Sequence, residues 1–199
     1  MSKILVLHAT LSEKEKSYSF AALEKFIEIY KKKNPNDEFT IIDLEEEKMA
    51  KTSLTRENLA NYWNDIDSDK YINQLKSVDK LIIACAMNNF TITTAMKNYI
   101  DRTFVSNKVF TYKYQTKGAS KGLLDHLTVQ IIAAQGAPKG WYPWGDITAY
   151  LKGTWEFAGA KVKEPIMIGG TKVEPLKDMS TKEAINTFTK ELTAKAEEF

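Results

Sequence analysis

The chain has 199 residues, enough for one domain with a substantial core, and its 43% hydrophobic and 27% charged residues are the proportions of a globular protein. A net charge of +2 is too slight to argue for a nucleic-acid partner. One cysteine and two histidines exclude an intrachain disulfide, a thiolate zinc cluster and a His-rich metal site, and a reducing cytoplasm suits that cysteine count.

The start, MSKILVLHA, has too short an apolar run for a signal peptide and reads as a first core strand, Lys3–Leu7. A helical pattern follows over Ser19–Lys33, with Ala22, Leu23, Phe26, Ile27 and Tyr30 at helical spacing. Lys31, Lys32 and Lys33 close it as cations favoured at a helix C-terminus, and Asn34-Pro35 ends it. Phe39–Ile42 predicts a second strand, and Leu54–Asn64 with Asp69–Ser77 a covering pair of helices. Lys80–Ala86 predicts the third strand and Thr94–Phe104 the next helix. Phe110, Tyr112 and Tyr114 alternate, as in a hairpin or extended arm. Thr128–Ala134 and Pro165–Ile168 predict strands around a helix over Asp146–Ala158, and Thr181–Glu198 predicts a closing helix. No apolar run reaches the roughly 18–20 residues that span a bilayer. No repeat or linker divides the chain, so residues 1–199 read as a single domain.

Strands alternating with helices predict an α/β fold: a five-stranded parallel sheet of order 2-1-3-4-5 with helices on both faces. Ligands in such sheets bind outside the carboxyl ends of the strands where the order reverses, here between strands one and three. Three loops meet there. The first, HATLSEKEKSYS, has no glycine, so it is neither a dinucleotide fingerprint nor a P-loop. It carries the hydroxyls of Thr10, Ser12, Ser17, Tyr18 and Ser19. These either cap the first helix or hold a phosphate monoester on its N-terminus. In the second loop, Asn88 and Asn89 between Met87 and Phe90 are either plain turn residues or the wall of a flat heterocycle. The third, AAQGAPKGWYPWGD, begins with small residues that permit close backbone approach and then carries Trp141, Tyr142 and Trp144, as a dimer contact or a substrate wall.

The stretches MSKILVL…SYS, AMNNFTITTAMKNYIDR and IIAAQGAPKG, in this order over nearly the whole chain, resemble the FMN-dependent NADH-azoreductases. These belong to the flavodoxin-like NAD(P)H:quinone oxidoreductases. The most specific part is Met87–Asp101, which matches the pattern M-x-N-F-x-[IV]-[ST]-x-x-[LM]-K-N-Y-[IF]-D. The resemblance implies a flavodoxin-like FMN-binding domain and a homodimer with FMN at the subunit interface. It implies that Ser17, Tyr18 and Ser19 bind the FMN phosphate with Thr10 helping. It places Met87, Asn88, Asn89 and Phe90 along the isoalloxazine, and Ala134, Gln135, Gly136 and Ala137 at its pyrimidine side. Gln135 Nε2 and the Gly136 N–H are then the donors favouring negative charge on reduced flavin. Tyr112 and Trp141 become substrate-side residues. Ala86, Asn88, Ala9, Ala137 and Gln135 depart from frequent family choices of Pro, an aromatic, Ser, Gly and Arg.

The activity so implied is FMN-dependent oxidation of NADH with reduction of quinones and azo compounds. Hydride passes through flavin N5 in ping-pong fashion, and no side chain is needed as nucleophile or acid–base pair. An electron-transfer flavodoxin that docks on partner proteins is the alternative; a flavin-free scaffold is a further one. His8 and Cys85 read as structural residues and His126 as a solvated one. Neither a membrane nor nucleic acid is expected as a partner.

Overall fold

The structure, a computed structural model, describes residues 1–64, 66–113 and 119–199. Five apolar runs form the parallel sheet. β1 (Lys3–Ala9), β2 (Glu38–Asp43), β3 (Lys80–Ala86) and β6 (Thr128–Ala134) lie in the order β2-β1-β3-β6. The fifth position is shared by β7 (Lys161–Val162) and β8 (Ile166–Ile168), both parallel to β6. The predicted order therefore holds. The fifth strand is broken in the middle, where Pro165 has no N–H to give a ladder. Lys163 N–H still donates to the Val129 carbonyl at 2.8 Å, and buried Gln130 donates Nε2 to the Glu164 carbonyl at 3.3 Å.

Side chains of a strand alternate between its faces, and both faces are covered. Leu5, Leu7, Leu81, Ile83, Val129 and Ile131 point into one core. That core is closed by α2 (Ser68–Lys76), α3 (Thr94–Thr103) and α4 (Ile147–Phe157), through residues such as Tyr71, Leu75, Met96, Tyr99, Leu151 and Trp155. Ile4, Val6, Ile82, Ala84 and Ile132 point into the other. It is closed by α1 (Tyr18–Lys33), α5 (Thr181–Thr187) and α6 (Thr189–Glu198).

Two expectations change. Residues 54–64 form no α-helix, only a short 3₁₀ turn at Leu59–Asn61. Asn58 and Asn64 hold neighbouring backbone through Thr55 N–H, the Ser53 carbonyl and Asp67 N–H, and these local bonds compete with a helix. Tyr62 stacks on the Arg102 guanidinium, 3.7 Å from the ring centre, which fixes the segment irregularly. The closing helix is divided at Phe188. The aromatic arm is a hairpin, one of the two forms expected, of β4 (Phe110–Thr111) and β5 (Lys121–Gly122); Tyr114 lies outside the described residues. Among the described residues, no helix is long and apolar enough to cross a membrane.

Candidate active site

The site is built at the carboxyl ends of β1, β3, β6 and β8. Ser17 is the N-cap of α1 and accepts the Phe20 N–H at 3.3 Å. Its Oγ also accepts the Thr10 hydroxyl at 2.8 Å and lies 3.3 Å from Ser19 Oγ. All three residues are buried at the head of a 16-residue helix. The first amides of a helix have no carbonyl partner inside it, and the dipole's positive end lies with them. Capping and an anion cradle are therefore properties of one arrangement here.

These hydroxyls line a cavity of about 390 Å³ together with Leu11, Ser12, Lys16, Tyr18, Ala86, Met87, Asn88, Thr93, Ala134, Gln135, Gly136, Thr171 and Lys172. A second cavity of about 340 Å³ shares Met87, Gly136 and Lys172 with it and adds Asn89, Phe90, Ala137, Trp141, Tyr142 and Val173. Lysines line this joined space and no carboxylate does, among the described residues. A doubly charged phosphate attached to a flat heterocycle fits that donor set. The hydroxyls and the helix head match the phosphate, and Met87, Phe90 and the glycine-bearing loop match the ring.

The wall at 88–91 is a two-residue turn. Asn88 N–H donates to the Thr91 carbonyl at 2.8 Å and Thr91 N–H to the Asn88 carbonyl at 3.1 Å. Asn89 and Phe90 between them have φ of 46° and 67°. Two positive φ values are the signature of a type I′ turn. Asparagine tolerates that region; phenylalanine there costs about 1–3 kcal/mol. The Phe90 ring is gripped by Tyr142 and Trp144, with ring centres 5.0 and 5.9 Å away. Beneath it lies Gly145, where a Cβ would stand 3.0 Å from Phe90 Cβ. Next to Gly145, Asp146 caps α4 by accepting the amides of Thr148 and Ala149. Burial pushes the Asp146 carboxyl up, but these bonds and the Thr148 hydroxyl outweigh it and hold the group below its ordinary value.

Nearly all the residues expected from the sequence lie here. Thr10, Ser17, Tyr18, Ser19, Met87, Asn88, Ala134, Gln135 and Gly136 line the first cavity, and Asn89, Phe90, Ala137 and Trp141 the second. Tyr112 lines neither; it is 58% exposed and packs on Phe110. The Gln135 amide does not point donors into the cavity as expected. Its Nε2 is held by the carbonyls of Ala137 at 3.0 Å and Pro138 at 2.9 Å, so the side chain shapes its own loop. Thr171 and Lys172 were missed. Thr171 donates its hydroxyl to the Gln135 carbonyl, and Lys172 N–H donates to that of Gly136. Gly169-Gly170 after the fifth strand, with Gly170 at φ 82°, was the available signal.

Cys85 is fully buried and its thiol is pushed up to about 11 by burial, so it is no nucleophile. His8 is buried, with Nδ1 3.7 Å from Asp43 Oδ1 and without a hydrogen bond. His126 is exposed, with Nε2 3.3 Å from the Leu75 carbonyl.

Residues 2–192 match the family described as flavodoxin-like fold. The chain belongs to this family. Within it, the chain is 53% identical to FMN-dependent NADH:quinone oxidoreductase 1 of Mesoplasma florum, over all of both chains. It is 47% identical to the FMN-dependent NADH:quinone oxidoreductase of Mycoplasmopsis synoviae, again over all of both. The crystal structure of azoreductase from Bacillus anthracis superposes with a TM-score of 0.80 at 25% identity, each chain covered completely. This flavodoxin-like chain thus stands among quinone oxidoreductases by sequence and beside an azoreductase by structure.

Proposed function

We propose that the chain is an enzyme, an FMN-dependent NADH:quinone oxidoreductase that also reduces azo compounds. The observation that carries the reading is the buried Thr10–Ser17–Ser19 hydroxyl cluster at the head of α1, set in a cavity that no carboxylate lines among the described residues. The end-to-end likeness to the Mesoplasma florum enzyme supports it.

When bound, FMN would supply the redox chemistry, hydride transfer through its N5 between NADH and the acceptor, with the two substrates using one site in turn. The protein's part is binding and shaping. Thr10, Ser17, Ser19 and the first amides of α1 hold the phosphate. Tyr18 flanks it. Met87, Asn88, Asn89 and Phe90 form one wall for the ring, and Ala134, Gln135, Gly136 and Ala137 the other. Gly136 N–H remains the donor of that second wall, since Gln135 Nε2 is engaged in its own loop. Trp141 and Tyr142 border the space left for NADH and the acceptor.

The exposed Trp141, Trp144, Tyr150 and Phe157 support a homodimer, and Tyr112, which lines neither cavity of its own chain, is the residue such an assembly would bring to the partner's site. A cytoplasmic location and a single domain over 1–199 complete the reading.

The test is a visible spectrum of protein incubated with FMN, desalted and mixed anaerobically with NADH. Retained flavin bands that bleach support the oxidoreductase. Bands that persist with both NADH and NADPH favour an electron carrier. A colourless protein after desalting overturns the site.

A further inference from the structure

The second loop holds a conformation that its own sequence resists. A type I′ turn favours Asn-Gly at its centre, and here the dipeptide is Asn89-Phe90. Phe90 sits at φ 67° without being glycine, so something outside the turn must hold it there. Three residues of the third loop touch it. Tyr142 meets its ring nearly edge-on, Trp144 lies tilted against it, and Gly145 passes beneath, where any added Cβ would press on Phe90 from 3.0 Å. Tyr142 and Trp144 also touch each other, 5.7 Å between centres. Gly145 is buried, and its N–H donates to the Tyr142 carbonyl at 3.0 Å, which closes the segment on itself. Asp146 then anchors it to the first turn of α4.

We propose that Tyr142, Trp144 and Gly145 form a clasp that imposes the left-handed conformation on Phe90. They are thereby positioning residues for the 88–91 turn. The role in flavin binding rests on the function proposed above; the clasp itself does not. The turn carries Asn88 into one cavity and Asn89 with Phe90 into the other, so releasing it alters both walls at once. The aromatics after Gly140 act on the site through Phe90 as well as by direct contact.

The experiment uses backbone amide exchange by NMR in the FMN-free full chain, followed by FMN titration and the flavin midpoint potential. The variants are Trp144→Ala and Gly145→Val. Trp144 is 71% exposed, so its loss leaves the core packed and decides the matter if the valine variant misfolds. The amides of Asn88 and Thr91, which close the turn, should exchange about tenfold faster in both variants, while those of Tyr99 and Ile100 in α3 do not change. FMN should bind about tenfold more weakly and its potential should move. Adding Phe90→Gly to Gly145→Val should restore amide protection, because Asn-Gly holds the turn unaided. Unchanged exchange in Trp144→Ala overturns the clasp. Faster exchange with unaltered FMN affinity and potential overturns the positioning role. Should the wild-type chain bind no FMN, the proposed function fails, and the exchange data still confirm or overturn the clasp.

Discussion

Ser17 accepts two hydrogen bonds at once, from the Phe20 amide and the Thr10 hydroxyl, whereas Ser19 caps nothing. The two serines therefore separate helix stability from ligand binding. Ser17→Ala should cost about 1 kcal/mol of stability as a lost cap. Ser19→Ala should cost less stability than that, only its long bond to Ser17 Oγ, and still weaken FMN binding, by about 1.5–3 kcal/mol if its hydroxyl bonds the phosphate. Equilibrium titration checks this, and unaltered affinity in Ser17→Ala with Ser19→Ala would remove the phosphate assignment. His8 carries a pH prediction. Burial lowers its pKa against the pull of Asp43, with Lys14 lowering it further and Glu46 opposing. The unfolded chain takes up a proton near pH 6.5 that the folded chain does not. Stability should thus fall as the pH drops below about 6.5, and His8→Gln should flatten that slope in urea titrations. Which serine caps and which donor is engaged were not legible in the sequence. Both depend on distances between loops, as the capture of Gln135 Nε2 by the Ala137 and Pro138 carbonyls shows.

At the scale of the element, the strands were legible because parallel strands buried on both faces read as continuous apolar runs. Lys80–Ala86 and Thr128–Ala134 match to the residue. The segment 54–64 was not legible, since Asn side chains that bond their own backbone leave the apolar spacing of Leu59, Tyr62 and Trp63 intact while removing the helix. The cap of α4 is a testable element. Asp146→Ala should destabilise the protein by about 1 kcal/mol in chemical denaturation. Its depressed pKa adds a sign: the stabilisation is present above the unfolded value near pH 4 and is lost as the pH falls below it. Asp146→Asn should keep part of the cap and remove that acid dependence.

For the whole molecule, the sheet order was legible from alternation and right-handed crossovers, and with it the position of the site. What escaped was the fifth strand's contribution, because its loop at 169–173 reaches the site only by bonding to residues 135–137. Four segments far apart in sequence therefore line one cavity, which leads to a thermal prediction. FMN at about 100 times its dissociation constant should stabilise the fold by about 2.7 kcal/mol. In a chain of this length that is a rise of about 5–10 °C in melting temperature by calorimetry. No shift would mean that the four loops do not close on a common ligand.

The break between β7 and β8 has a consequence of another kind. An open sheet offers its rim to any passing strand, and two such rims invite runaway fibre growth. Here one rim is cut into pieces of two and three residues with a proline between them, and Gln130 of β6 bonds the Glu164 carbonyl across the gap. A foreign strand finds no continuous ladder there to extend. Edge-to-edge growth from that rim is thereby disfavoured, whatever strand approaches it.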